Sequence, residues 1–173
     1  MLIPFEIKRV RNPDNSYNLL AVISVDHAIG EDNIQSSLGE MQNKYLELIK
    51  KCKNQIALIQ KNRNNRSDPK LHWELGDILY CFLEYVEKHG FYFANFSSTI
   101  SRDTGLSQRY LNYHLSFRKE YRKKDINPKI KMWGYQELLD ISDRKIREIC
   151  KSKLVSGEIK TREELRMFKK SIK

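Results

Sequence analysis

Two groups of residues in this chain have types and spacings that can do chemistry. The first is Glu6-Ile7-Lys8, the E-x-K arrangement with which nucleases hold a divalent metal and orient a water from a strand. That chemistry needs a further carboxylate upstream, and nothing acidic precedes Glu6; Asp26 substitutes only in a rearranged topology. Alternation of an exposed Glu and Lys along a strand is the stronger reading. A DNA-binding accessory, or a small metal-dependent nuclease using Glu6, Lys8 and Asp26, is kept as the alternative.

The second group is Ser107, Gln108, Arg109, Asn112 and Tyr113, which follow Gly105 in the stretch from Phe96 to Tyr121. Gln and Asn side chains can contact adenine bidentately in the major groove, and Arg does the same for guanine. Ser97, Ser98, Ser101 and Ser116 are suited to phosphate oxygens. Arg118, Lys119, Arg122, Lys123 and Lys124 read as a basic ridge continuing the same helix along a backbone strand. The chemistry expected of this group is recognition of double-stranded DNA without catalysis, cofactor or metal.

These side chains need a helix-turn-helix to present them. Gly105 fits the tight turn between two helices, and Ser107 is a natural N-cap for the second. With Gly105 in the turn, Ile100, Leu106, Leu111 and Leu115 are the inward residues. His114 lies near the same inward face, so a satisfied buried histidine is expected there.

Charge supports the assignment by its placement. The chain has 173 residues and a net charge of +10. Residues 1–107 hold 13 Lys+Arg and 13 Asp+Glu, whereas residues 108–173 hold 19 against 9. The whole excess begins at the second helix of the candidate motif, and so lopsided a field attracts polyanions. The other reading of such a surface is a solvated Lys-rich face.

Around this motif the spacing predicts a mainly α chain. Residues 2–10 and 18–26 are β-branched and apolar and flank a Pro/Asp/Asn/Ser turn, which predicts an N-terminal β-hairpin. Helical spacing from 34 to 61 sets Met41, Tyr45, Leu48, Cys52, Ile56 and Ile59 close to a heptad seam. That seam either docks on the hairpin and later helices, the default, or pairs with a second copy or a protein partner. Residues 61–70 are polar, contain Pro69 and give the best boundary, between an N-terminal module at 1–66 and a helix-turn-helix domain at 71–173.

Residues 71–88 form a strongly patterned helix with Leu75, Ile78, Leu79, Phe82 and Val86 on one face. Gly90 supplies its left-handed stop. Phe91, Phe93 and Phe96 can stack on bases, but core beneath the next helix is the stronger reading. Downstream, 132–140 reads as a short helix. Ser142 caps another running to Ser152 with Ile146, Ile149 and Cys150 inward, and Thr161 with Glu164 makes a capping box for the last. Cys52, Cys81 and Cys150 lack metal-binding spacing and read as small buried hydrophobes.

The order ISRDTGLSQRYLNYHL, YQELLDISD and a final SGEIKTREELRMF resembles the DNA-binding region of ParB/KorB-type partition proteins. WELGDILY followed by GLSQRYLNYHLSFRKEY is also similar to the helical N-terminal domain of YhcG-type nucleases. The likeness covers roughly residues 73–170. It implies groove-facing roles for Ser107, Gln108, Arg109, Asn112 and Tyr113, and a place in partition or transcription regulation. No arginine-rich nucleotide-binding box is found upstream, so CTP switching is not implied, and no nuclease domain is expected after Lys173. A homodimer is expected, because paired half-sites are usual for this class. No apolar run approaches the roughly 20 residues of a membrane span. No secretory signal is found, and a cytoplasmic, nucleoid-associated protein is expected.

Overall fold

The computed structural model describes residues 3–11, 13, 17–23 and 31–172, with side chains at 13 and from 39 to 172. The chain is mainly helical, as its periodicity predicts. Strand β1 is Ile3–Arg11, β2 is Tyr17–Ile23 and β3 is Phe91–Phe93. The helices are α1 Glu31–Gln60, α2 Arg63–Ser67, α3 Pro69–Lys88, α4 Phe96–Thr104, α5 Gln108–Glu120, α6 Met132–Leu139, α7 Arg144–Ser156 and α8 Arg162–Ser171. None of them is long and apolar enough to cross a membrane.

Contacts group the described chain into two units that are discontinuous in sequence. One comprises residues 1–54 and 78–111, the other 55–77 and 112–173. The first holds 10 Lys+Arg and 10 Asp+Glu, the second 22 against 12, so the entire charge excess belongs to the second. This division differs from the 1–66 and 71–173 expected from the polar stretch after Lys61. That stretch is ordered by local bonds. The Asn62 side chain accepts from the Asn65 N–H to start α2, and Pro69 opens α3, where its missing N–H costs nothing.

In the first unit the strands run in the order β2-β1-β3. β1 pairs antiparallel with β2, Phe5 opposite Ile23, and parallel with β3, Ile3 opposite Phe91. Phe91, Phe93 and Phe96 after Gly90 are core. Alternation along β3 buries Phe91 and Phe93 and leaves Tyr92 exposed. Phe93 and Phe96 meet edge to face at 5.3 Å, and Tyr45 and Phe82 close the cluster at 6.0 Å. The α1 seam residues Met41, Tyr45, Leu48 and Cys52 are buried. These seam residues therefore face this chain's own core.

The second unit is built around Phe117, Tyr135, Leu138, Cys150 and Leu165, with Trp73 at its margin. At Gly76 the backbone of α5 comes close to α3. A Cβ there would stand 2.2 Å from the backbone oxygen of His114, so only glycine permits this approach to α5. Glu137 is buried on α6 and gathers three cations of α8. Lys169 and Arg166 hydrogen-bond to it, each at 3.0 Å, and Arg162 Nε lies 2.9 Å away without hydrogen-bond alignment. Burial alone would raise the Glu137 carboxyl, but the bonds from Arg166 and Lys169 reverse this and hold it below its ordinary value.

Three local expectations change. Asp143, not Ser142, caps α7, because its carboxylate reaches the N–H groups of both Lys145 and Ile146. Ile149 points out, and Cys150 and Leu154 carry the buried face. Cys81 is exposed, whereas Cys52 and Cys150 are buried. The capping box at Thr161 and Glu164 is formed as its spacing predicts.

Candidate nucleic-acid interface

The turn between α4 and α5 is set by local chemistry. Gly105 takes φ 76°, a left-handed conformation that side chains other than glycine adopt at a cost, and its N–H closes α4 on Ser101 O. Thr104 Oγ1 bonds back to Ile100 O and accepts from the Leu106 N–H at 3.4 Å, tying the turn to the helix before it. Ser107 Oγ accepts from the Tyr110 N–H at 3.2 Å, the N-cap its position predicts. Ile100, Leu111 and Leu115 are buried, and Leu106 is half-buried.

Along α5 the periodicity leaves one side in water. Ser107, Gln108, Arg109, Asn112, Ser116 and Lys119 are exposed. Gln108, Asn112 and Ser116 recur at intervals of four residues, which stacks them on one face. Four of the five expected base-contacting residues are therefore exposed. Tyr113 is the exception. It is half-buried against the core of the second unit, and its hydroxyl is buried without a hydrogen-bond partner. Its ring carries enough apolar area that packing beneath α5 wins over exposure. Burial pushes the phenol well above its ordinary pKa. On α4, Ser98 is exposed, while Ser97 and Ser101 are half-buried.

His114 is fully buried and satisfied. Its Nε2 lies 2.8 Å from His72 Nδ1, and His72 Nε2 lies 3.0 Å from Arg66 O. Only an N–H can face a carbonyl, so His72 donates from Nε2 and accepts at Nδ1, and His114 donates from Nε2. Burial lowers the His72 pKa, opposed by the Arg66 carbonyl and the charge of Asp68.

The basic ridge is not one continuous helix. α5 ends at Glu120, and Lys123–Asp125 forms a separate 3-10 turn. The Trp73 indole N–H donates to Tyr121 O at 2.6 Å and satisfies a carbonyl at the end of α5 from outside it. Two of the five expected cations are held by α3. Arg118 Nε pairs with Asp77 at 2.5 Å and Lys123 Nζ with Glu74 at 2.7 Å. Arg122 pairs locally with Asp125. Lys119 and Lys124 are exposed and form no ion pair with the described residues.

Beside the exposed face of α5, Tyr113, Ser116, Lys119, Leu139, Asp140 and Arg147 line an open cleft of about 430 Å³. Arg147 in it is spoken for, bonded to Glu120 and to Ile141 O. The described residues contain no cluster of three His, Cys, Asp or Glu that could hold a metal. Glu6 and Lys8 lie on β1 opposite Val22 and Leu20, but their side chains, like Asp26, fall outside the described residues. The contribution that sequence reasoning missed is the α3 set Trp73, Glu74 and Asp77, which lie 41 to 49 residues from their partners. In comparisons with known proteins the chain matches no family model, no curated protein and no solved structure.

Proposed function

We propose that this protein binds double-stranded DNA, reading the major groove with α5 and holding the backbone with cations of the second unit. The observation that carries this reading is the exposed row on α5. Gln108, Arg109 and Asn112 stand in the first turns of a helix that follows a glycine turn and a capping serine. Those turns are the part that enters the groove in helix-turn-helix proteins. Net charge supplies the attraction, since the unit that includes residues 112–173 carries all of it.

In this reading Ser107, Gln108, Arg109 and Asn112 face base edges, while Ser98, Ser116, Lys119 and Lys124 meet phosphates directly. The hairpin and residues 31–54 of the long helix share a unit with α4 and the start of α5, and two copies of the chain bind paired half-sites. The resemblance over residues 73–170 favours partition or transcription regulation as the setting.

The test is an electrophoretic shift series with duplex DNA, single-stranded DNA and RNA at two salt concentrations. Duplex DNA should be preferred and its binding should weaken steeply with salt. Equal binding to all three would reduce the protein to a general polyanion binder.

A further inference from the structure

Arg118 and Lys123 stand over the same indole ring. The Arg118 guanidinium carbon is 4.6 Å and the Lys123 ammonium 5.9 Å from the Trp73 ring centre. The ring is fixed, because Trp73 is only 8% exposed and its N–H is bonded to Tyr121 O. Glu74 and Asp77 lie three residues apart on one face of α3 and take one cation each. Glu74 is further oriented by the Gln55 amide at 3.2 Å. A carboxylate and a phosphodiester offer these cations the same paired-oxygen chemistry.

We infer that Glu74 and Asp77 are resident anions in a phosphate site formed by Arg118 and Lys123 over Trp73. Nucleic acid gains these two cations only by displacing two carboxylates of the same chain. The inference rests on the proposed DNA-binding reading and adds its regulation. The pairs are open to exchange: the Arg118 and Asp77 side chains are 27% and 33% exposed, and those of Lys123 and Glu74 are 51% and 34% exposed. Ion pairs so hydrated hold weakly, and a polyanion carrying many phosphates outcompetes them. Hydrogen bonding to Glu74, then its charge, raises the Lys123 pKa, as expected of a pair that is formed in the free protein. Four cations of the ridge thus fall into two classes. Lys119 and Lys124 are open to any polyanion, and Arg118 and Lys123 are released when a backbone strand lies close enough to replace their carboxylates.

The experiment compares the full chain with a Glu74→Gln/Asp77→Asn variant on one duplex DNA between 50 and 200 mM salt. A Glu148→Gln/Glu163→Gln variant, which removes two exposed carboxylates that form no ion pair with the described residues, controls for net charge. Each cation newly available adds about 0.9 to the slope of log affinity against log salt. Two of them should make the Glu74/Asp77 variant lose about twelvefold more affinity than the parent over that fourfold rise in salt. Adding Lys123→Gln should remove half of this increment. Glu74→Gln alone, whose partner is a surface lysine, should give the other half with an unchanged melting curve.

A Glu74/Asp77 variant with the slope of the control pair, on a parent that binds duplex, overturns this inference and leaves the DNA-binding reading standing. Failure of both parent and variant to bind any duplex at 50 mM salt overturns both. Binding by the variant alone supports the inference in its strongest form, with the resident anions closing the site.

Discussion

The approach of α3 to α5 can be tested with one substitution made in two helices. Gly39 on α1 and Gly76 on α3 both sit inside helices, where glycine is roughly 0.5–1 kcal/mol less favourable than alanine. A methyl at Gly39 meets nothing within 4 Å, so Gly39→Ala should stabilise by about that amount. At Gly76 the same methyl stands 2.2 Å from His114 O and 2.9 Å from its carbonyl carbon, where ordinary contact begins at 3.4 Å. The obstacle is backbone and has no rotamer to change, so the two helices must part. Overpacking of this kind costs about 1–3 kcal/mol and here belongs at the upper end, exceeding the helix-propensity gain. Gly76→Ala should therefore be net destabilising by about 1–2 kcal/mol. For a chain of this size that lowers Tm by roughly 2–8 °C. Thermal and urea unfolding of both variants beside the parent would measure it. A Gly76→Ala protein as stable as the parent, or stabilised like Gly39→Ala, would refute the close crossing and with it the placement of His114.

Three further predictions concern buried polar groups. His72 has its pKa lowered by burial, so the unfolded chain takes up this proton more readily than the folded one. The contribution is complete above the ordinary histidine value near 6.5 and is lost as pH falls from there toward the depressed value. Urea midpoints at pH 7.5 and 5.5 should differ less in His72→Gln than in the parent. Glu137→Gln should destabilise by about 1–3 kcal/mol, since it leaves the α8 cations without their buried counter-charge and replaces one accepting oxygen by an amide donor. Only the hydrated state of Arg162 and Arg166 keeps the loss below that of a fully buried pair, and the melting temperature should show less difference at high salt. Tyr113→Phe should be neutral or stabilising, because the hydroxyl it removes is buried without a partner. A loss above about 1 kcal/mol in thermal melts would mean that the hydroxyl is satisfied after all.

What the sequence discloses here is what short-range chemistry decides. The stop at Gly90, the turn at Gly105, the Ser107 cap and the Thr161–Glu164 box each need only residues within a few positions, and each is formed. On α3 the period alone finds Leu75, Leu79, Phe82 and Val86, which are buried, while Ile78 is half-buried. β3 escapes because three residues carry no alternation long enough to read, and its pairing with Ile3–Phe5 is set by chain far away. The end of α5 at Glu120 escapes for a similar reason. Nothing local halts the basic run, and a carbonyl just past the helix is satisfied by Trp73, 48 residues earlier. Tyr113 looks like a groove residue by type and spacing, but the exposed arc of α5 is narrower than helical counting from Gly105 suggests. The division of the ridge into held and open cations depends on Glu74 and Asp77, which no inspection of the ridge itself would bring to notice.

The central claim is that the exposed row on α5 reads bases. Selection from a random-sequence duplex pool, by the parent and by a Gln108→Ala/Arg109→Ala/Asn112→Ala variant, tests it most directly. Each lost bidentate contact is worth about 1–3 kcal/mol of discrimination, while Lys119, Lys124 and the net charge remain. The parent should enrich a defined motif, and the variant, equally stable, should return the pool unenriched while still binding duplex in low salt. A parent that enriches nothing, or a variant that enriches the same motif, would contradict the account.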